Sequence, residues 1–259
     1  MNAPILELLD VNKSFGGVHA VKDMTFKIQQ GELMGLIGPN GAGKTTIFNL
    51  ITNVYPIDNG DVIFDGISTT HLKDYQVIRR GIARTFQNLR LFGRSTVLDN
   101  VMTASQVHHP CSFVESFTHL GRWKSAEDAA KAASMELLDR VGLADRASQM
   151  AGTLPYGLQR RLEIARALAL KPIVLLLDEP AAGMNPEEVN DLNGLITSIY
   201  RDLKLTILVI EHHMDLIMQI CSHIVCMNFG AKIAEGGPDE IQKNPEVLKA
   251  YLGEDEEAV

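Results

Sequence analysis

Apolar and polar residues change rhythm several times along this chain, and each rhythm predicts a different element. Residues 173–177 are apolar at every position, and residues 206–210 nearly so. Short runs of this kind suit strands buried on both faces of a parallel sheet. Residues 5–30 alternate instead, as in Leu6-Glu7-Leu8 and Met24-Thr25-Phe26-Lys27-Ile28. That alternation predicts half-exposed antiparallel strands. Asn59-Gly60 is a hairpin signal just before Asp61-Val62-Ile63-Phe64-Asp65-Gly66. From about Val97 to Gly142 the sequence becomes alanine-rich with a helical period, most clearly over 126–138, which predicts a mainly helical insertion. A further helix over 158–170 places Leu158, Leu162, Ala165 and Ala169 on one stripe. The sequence shows no internal repeat and no low-complexity linker.

Four of the predicted strands deliver polar groups at their carboxyl ends. Ile37 leads into a glycine-rich loop, Thr85-Phe86 into Gln87, Leu177 into Asp178-Glu179, and Ile210 into Glu211-His212. In open α/β sheets, ligands bind at that edge.

The glycine-rich loop carries the sharpest chemistry. Gly38, Pro39, Asn40, Gly41, Ala42, Gly43, Lys44, Thr45 and Thr46 match the spacing G-x-x-x-x-G-K-[ST]. A short apolar strand over 32–37 precedes them and a helix over 47–51 follows, which is the context a P-loop requires. Glycines let the backbone curl so that successive N–H groups converge on a polyphosphate. The following helix adds its positive end. Lys44 supplies a point charge for the β and γ phosphates, and the Thr45 hydroxyl is a ligand for Mg²⁺.

The other strand ends supply matching functions. A carboxylate at Asp178 is placed to hold Mg²⁺, often through water, and Glu179 is placed to accept a proton from an attacking water or to orient it. His212 is a candidate partner for the γ-phosphate, with His213 as its competitor in sequence. Gln87 offers a carbonyl to complete the magnesium shell, just before the helical insertion. Phe15, in Lys13-Ser14-Phe15-Gly16-Gly17, is suited either to stacking on adenine or to filling the core.

Composition narrows the classes. The chain has 259 residues, 46% hydrophobic and 22% charged, as expected of a soluble globular protein of one domain with a sizeable subdomain, or of two small ones. Its net charge of −8 argues against a general affinity for nucleic acid, which needs a basic face. The acidic end Glu254-Asp255-Glu256-Glu257 reads as a solvated terminus. Cys111, Cys221 and Cys226 form no C-x-x-C pair and no metal spacing, which points to a reducing, cytosolic setting. Met1-Asn2-Ala3-Pro4-Ile5 lacks a signal pattern, and the apolar runs are too short to cross a bilayer. Any work at a membrane is then expected to depend on another chain.

Together these elements resemble the ATP-binding cassette family over essentially the whole chain. Leu154-Pro155-Tyr156-Gly157-Leu158-Gln159 resembles the family signature L-S-G-G-Q, at the right distance before Asp178. The resemblance implies an α/β P-loop NTPase core with a parallel sheet, an antiparallel β subdomain and a helical subdomain. It divides the chain into a core of 1–94 and 159–259, a helical subdomain with the signature over 95–158, and a C-terminal tail over 233–254. In this family two cassettes sandwich two ATP molecules head to tail. The resemblance therefore implies that Tyr156, Gly157 and their helix end bind the γ-phosphate of the partner's nucleotide. It also implies that Ala182-Gly183-Met184-Asn185 crosses between subunits, that His212 is the switch histidine and that Gln87 is the metal-sensing glutamine.

Finer strings resemble the ATPase subunits of branched-chain amino acid importers. They are Ser14-Phe15-Gly16-Gly17, residues 84–92, residues 159–166, residues 179–186 and the end 250–254. Importers of urea or amides and lipid-linked exporters share parts of these strings. The resemblance implies ATP and Mg²⁺ as cofactors, a second cassette and membrane permeases as partners, and an indirect link to a substrate-binding protein. It implies a peripheral position on the cytoplasmic face of the inner membrane, with a docking groove formed by the helical insertion and residues 87–92. Leu89, Leu91 and Phe92 suit either that contact or the local core. Tyr156 replaces the first glycine of the signature, which the importer subgroup tolerates, and two further positions depart from it. Pro155 replaces Ser and Leu158 replaces Gln, so a hydroxyl and an amide that would bond phosphate are missing, and Pro155 also lacks an N–H.

Two rival classes fit less well. Soluble cassettes of DNA repair or translation carry long coiled-coil insertions, paired cassettes or basic surfaces, and none is present here. A GTPase needs a guanine-reading N-K-x-D, and the nearest string, Asn12-Lys13-Ser14-Phe15, lacks the Asp and precedes the loop.

Overall fold

A computed structural model describes residues 3–108, 122–212 and 214–252. Cys111, His213, the acidic end at 254–257 and part of the predicted helical insertion lie outside the described residues. Along the chain come β1 (Leu6–Phe15), β2 (Val18–Ile28), β3 (Leu33–Ile37), α1 (Lys44–Ile51), β4 (Asn59–Phe64), β5 (Ile67–Ser68), α2 (Asp74–Arg79) and β6 (Ile82–Arg84). Next are α3 (Val97–Ser105), α4 (Arg122–Arg140) and α5 (Tyr156–Leu168). The order closes with β7 (Val174–Asp178), α6 (Pro186–Leu203), β8 (Thr206–Ile210), α7 (Met214–Ile220), β9 (His223–Asn228), β10 (Ala231–Gly236), α8 (Pro238–Lys243) and α9 (Pro245–Leu252).

The chain forms two compact units. The first comprises Met1–Arg84, Ile173–Ala182 and Ile196–Val259, and the second Thr85–Pro172 and Gly183–Leu195.

The first unit contains both sheets. One has the order β10-β9-β3-β8-β7-β6, with β3, β9, β8, β7 and β6 paired in parallel and β10 antiparallel at the edge. Every residue of β3, β7 and β8 is buried, which explains their unbroken apolar runs. The other sheet is antiparallel, in the order β2-β1-β4-β5, and its strands alternate buried and exposed positions. Phe26, Phe48 and Phe64, from β2, α1 and β4, share one core with Leu36, Val174 and Ile210. Burying one such side chain contributes roughly 1.5–3 kcal/mol. Ile47, Phe48, Leu50 and Ile51 are all buried, so α1 is anchored firmly behind the loop it follows.

The hairpin is not where the sequence placed it. Asn59 and Gly60 open strand β4, and the reversal falls at Asp65-Gly66, where φ is +49 and +71 in succession. Two left-handed residues make the turn that suits a two-residue hairpin. Gly60 serves a different need, since a Cβ there would lie 2.4 Å from the carbonyl oxygen of Asp10.

In the second unit α3 packs on α4 and α5. Thr96 caps α3: its hydroxyl accepts the Asp99 N–H at 3.0 Å, while Asp99 accepts the Thr96 N–H at 3.3 Å. The helix expected over 158–170 begins two residues earlier, at Tyr156, because Pro155 has extended backbone angles and serves as its N-cap.

Candidate functional site

The buried strand β3 ends at Ile37, and the chain then loops through Gly38 to Gly43 before α1 begins at Lys44. Two glycines have no substitute in that path. A Cβ on Gly38 would lie 2.2 Å from the Met227 carbonyl oxygen, and one on Gly43 would lie 2.3 Å from that of Ala20. The loop is thus threaded between the end of β9 and the start of β2. The Gly230 N–H donates to Ala42 O at 3.0 Å and the Ala42 N–H to Pro39 O at 3.1 Å, which brace its outer side. Gly43 is also left-handed, at φ +101. Gly43→Ala combines that strain, about 1–3 kcal/mol, with a backbone collision. It is expected to weaken nucleotide binding at least about tenfold by calorimetry, with the fold retained.

Gly43 has no side chain to cap α1, so the first-turn N–H groups and the positive helix end face the loop. Lys44 is only 5% exposed, and its Nζ donates to Gly38 O at 2.6 Å and to Pro39 O at 2.8 Å. Those bonds satisfy the buried ammonium and hold it within the curve of the loop. Thr45 and Thr46 are half-buried in the first turn of α1. Asn40 and Gly41 lie exposed at the tip. The cradle fits a polyphosphate: converging backbone donors, a helix end and a confined lysine. Among the described residues no cluster of three or more His, Cys, Asp or Glu forms a metal site. The hydroxyl of Thr45 and the carboxylate of Asp178 are hard oxygen donors of the kind magnesium takes when phosphates supply further oxygens.

Strand order brings the ends of β3, β8 and β7 side by side, with Leu36 opposite Ile210 and Ile210 opposite Asp178. Asp178 is the last residue of β7 and is 1% exposed. Its Oδ2 accepts from Arg84 Nη2 at 2.6 Å. Glu179 follows with φ +45, a left-handed conformation that is strained for a side-chain-bearing residue. Its N–H donates to Ile210 O at 2.9 Å, and its carbonyl accepts from the Ala182 N–H at 3.2 Å. The fully buried Glu211 accepts the Ala181 N–H at 2.8 Å and so holds this turn from the end of β8. The His212 N–H donates to Glu211 Oε2 at 3.2 Å, and its imidazole is 40% exposed.

Phe15 is not a core residue. It is 41% exposed at the end of β1, edge-on to Tyr55 at 5.2 Å between centroids, with Lys13 Nζ 5.4 Å from its ring centre. Lys13 is paired with Asp58 at 2.6 Å, and the Ser14 N–H donates to the same carboxylate at 2.7 Å. These two bonds hold the Asp58 carboxyl below its ordinary range. The apolar ring is thereby presented on a rigid, charged support.

The second unit carries the remaining candidates. Gln87 is exposed, and its backbone is anchored by Arg160, a fully buried residue of α5. Arg160 donates to Phe86 O at 2.7 Å, Gln87 O at 2.9 Å, Glu163 Oε2 at 2.8 Å and the Tyr156 hydroxyl at 3.0 Å. Glu163 accepts the Phe86 N–H at 3.2 Å through its other oxygen. Burial pushes the Glu163 carboxyl up, and Arg160 pulls it back only in part. Tyr156 and Gly157 form the first turn of α5, and Pro155, as N-cap, provides no side-chain cap. A Cβ on Gly157 would meet Glu188 Oε1 at 3.2 Å. Glu188 also exchanges hydrogen bonds with Asn185, which settles the loop ahead of α6. Leu89 and Leu91 are half-buried, whereas Phe92 is half-exposed under the Arg166 guanidinium at 5.0 Å. Arg166 also donates to the Arg90 carbonyl.

The first unit therefore gathers the P-loop, Asp178, Glu179 and His212 at one sheet edge, with Phe15 at the end of β1, and the second holds Gln87, Tyr156 and Gly157. Sequence reading missed Arg84, Asn49 and Arg160, and assigned no role to Glu211. Arg84 alone had a visible signal, being a charge at the end of the otherwise apolar stretch Ile82-Ala83-Arg84.

Comparison with known proteins agrees with this geometry. The ABC transporter family matches residues 21–182, and the family described as branched-chain amino acid ATP-binding cassette transporter matches residues 231–257. The chain is 42% identical to the high-affinity branched-chain amino acid transport ATP-binding protein BraF of Pseudomonas aeruginosa, over 98% of this chain and 100% of that protein. It is 35% identical to the lipopolysaccharide export system ATP-binding protein LptB of Escherichia coli, over 94% of this chain and 95% of that one. Among solved structures, the ADP conformation of an ATP-binding cassette of an ABC transporter superposes with a TM-score of 0.83 at 28% identity, covering 97% of this chain and 100% of that one. A P-loop and an acidic strand end on one sheet edge, and kinship spanning nearly the whole chain, place this protein in the ATP-binding cassette (ABC) transporter family.

Proposed function

We propose that this chain is the ATP-hydrolysing motor subunit of an importer of branched-chain or related amino acids. The observation that carries this reading is the shared sheet edge: a confined lysine in a phosphate cradle beside a strained glutamate that follows a buried aspartate. The match over residues 231–257, and the higher identity to BraF than to LptB, favour amino-acid import over lipid export.

In this reading Lys44 and the backbone of residues 38–46 bind the phosphates, and Phe15 stacks on the adenine. Thr45, Gln87 and Asp178 would hold Mg²⁺, whose charge would offset that of the phosphates. Glu179 accepts a proton from the attacking water, and His212 steadies the γ-phosphate. Tyr156, Gly157 and the start of α5 engage the γ-phosphate of the nucleotide bound by a second cassette. Residues 1–94 and 159–259 act as the nucleotide-binding core, 95–158 as the helical subdomain and 233–254 as the tail. Residues 87–92 form part of the groove for the permease subunits, which in turn meet a substrate-binding protein. In this reading those permeases hold the chain at the cytoplasmic face of the membrane; among the described residues no helix is long and apolar enough to cross it.

The test is reconstitution in lipid vesicles with the permease pair and binding protein of a branched-chain amino acid importer from the same organism. ATP-driven uptake of labelled leucine is expected. ATP hydrolysis accompanied by transport of urea or lipid, and not of leucine, would overturn the assignment.

A further inference from the structure

Arg84 is nearly buried, with 8% of its side chain exposed, and it ties its own strand to two other elements of the first unit. It belongs to β6. Its Nη2 donates to Asp178 Oδ2 on β7 at 2.6 Å, and its Nη1 donates to Asn49 Oδ1 on α1 at 2.7 Å. Its guanidinium carbon lies 5.3 Å from the ring centre of Phe48, also on α1. Asn49 is one helical turn beyond Thr45 on the same face of α1. A planar guanidinium holds its two acceptors at a set separation, so the carboxylate of Asp178 and the helix that carries Lys44 and Thr45 are locked in register.

A buried ion pair is an expensive way to gain stability alone, because well-packed apolar side chains often do as well or better. What this fork does supply is orientation. With Oδ2 bonded to Nη2 at 2.6 Å, the carboxylate of Asp178 is restrained against turning about its last bond.

We propose that Arg84 is a positioning residue that aligns Asp178 with the P-loop helix and thereby sets the magnesium dependence of nucleotide binding. This inference rests on the reading of Asp178 as the carboxylate that holds magnesium.

The test uses ADP, which is not turned over, with the full-length protein and a magnesium titration followed by calorimetry. Arg84→Gln is expected to move the magnesium midpoint for ADP binding upward by about tenfold, while affinity for ADP without magnesium stays within about twofold. Asn49→Ala removes one arm of the fork and is expected to shift the midpoint the same way by less. Arg84→Lys should fall between wild type and Arg84→Gln, because an ammonium cannot bridge both acceptors in the same geometry. A lower melting temperature in Arg84→Gln with an unchanged magnesium midpoint would show a purely structural ion pair and overturn the proposal. Should Arg84→Gln fail to fold, Asn49→Ala decides: a shifted midpoint supports the proposal and an unshifted one ends it. Loss of ADP binding by the wild type itself would instead overturn the functional reading, and this inference with it.

Discussion

Glu179→Gln is expected to retain ATP while losing nearly all turnover. The substitution keeps the size of the side chain and the backbone it hangs from. The left-handed turn is held by main-chain bonds to Ile210 and Ala182 and by Glu211 on the Ala181 N–H, none of which involves the Glu179 side chain. An amide, however, cannot accept the proton of an attacking water. Removing a general base costs about 10²–10⁴-fold in rate. Steady-state phosphate release should fall by that factor, while ATP affinity measured by calorimetry stays within about twofold. Turnover at the wild-type rate would remove Glu179 from the mechanism. The strain at this residue fits such a role: a conformation costing about 1–3 kcal/mol persists where the surroundings over-determine it.

Arg160→Met should be the most destabilising single change in the second unit. It leaves Glu163 buried without its hydrogen-bonded cation, with only the charge of Arg166 still acting on it, and removes the Arg160 bonds to the carbonyls of Phe86 and Gln87. Breaking one side of a buried pair costs about 3–5 kcal/mol. Urea unfolding near pH 8 should show that loss, and turnover should fall with it because the backbone of Gln87 is released. The pH dependence has a definite sign. Burial raises the native Glu163 carboxyl above its ordinary value, so between the two values the folded chain holds more protons than the unfolded one. Stability contributed by the protonated form is present at low pH and is lost as pH rises through the raised native value. Removing Arg160 raises that value further, since Arg160 was lowering it. The deficit of Arg160→Met relative to wild type should therefore shrink as pH falls toward 5. Replacing both partners, as Arg160→Met with Glu163→Leu, should recover the part of the loss due to the unpaired carboxylate, while the part due to the bonds to the Phe86 and Gln87 backbone remains. A single mutant as stable as wild type at pH 8 would mean that the network carries no weight.

The same two sites show how far sequence patterning reaches. Asp178 and Glu179 were legible because an unbroken apolar run must be a buried strand, and the polar residues that end it must then emerge at the sheet edge. Asp178 proved to be the last residue of that strand rather than the first beyond it, a difference of one position. Phe15 was undecidable in sequence, since alternation along β1 is equally consistent with either face near its end. Its exposure is settled by the turn at Gly16-Gly17 and by the charged support from Lys13 and Asp58. The hairpin at Asn59-Gly60 was misread because a glycine required for close approach to Asp10 has the same letter as one required for a turn.

Local physics was enough for the P-loop, the buried parallel strands and the order of their polar ends. Backbone curvature, hydrophobic period and helix polarity all act within a few residues of one another. The partners of those polar ends were beyond its reach. Arg84 lies 94 positions from Asp178, and Arg160 lies 73 from Gln87. Charges so far apart in sequence meet only once the strands have been ordered and the helices packed, and an arginine carries no mark of which distant oxygen it will hold.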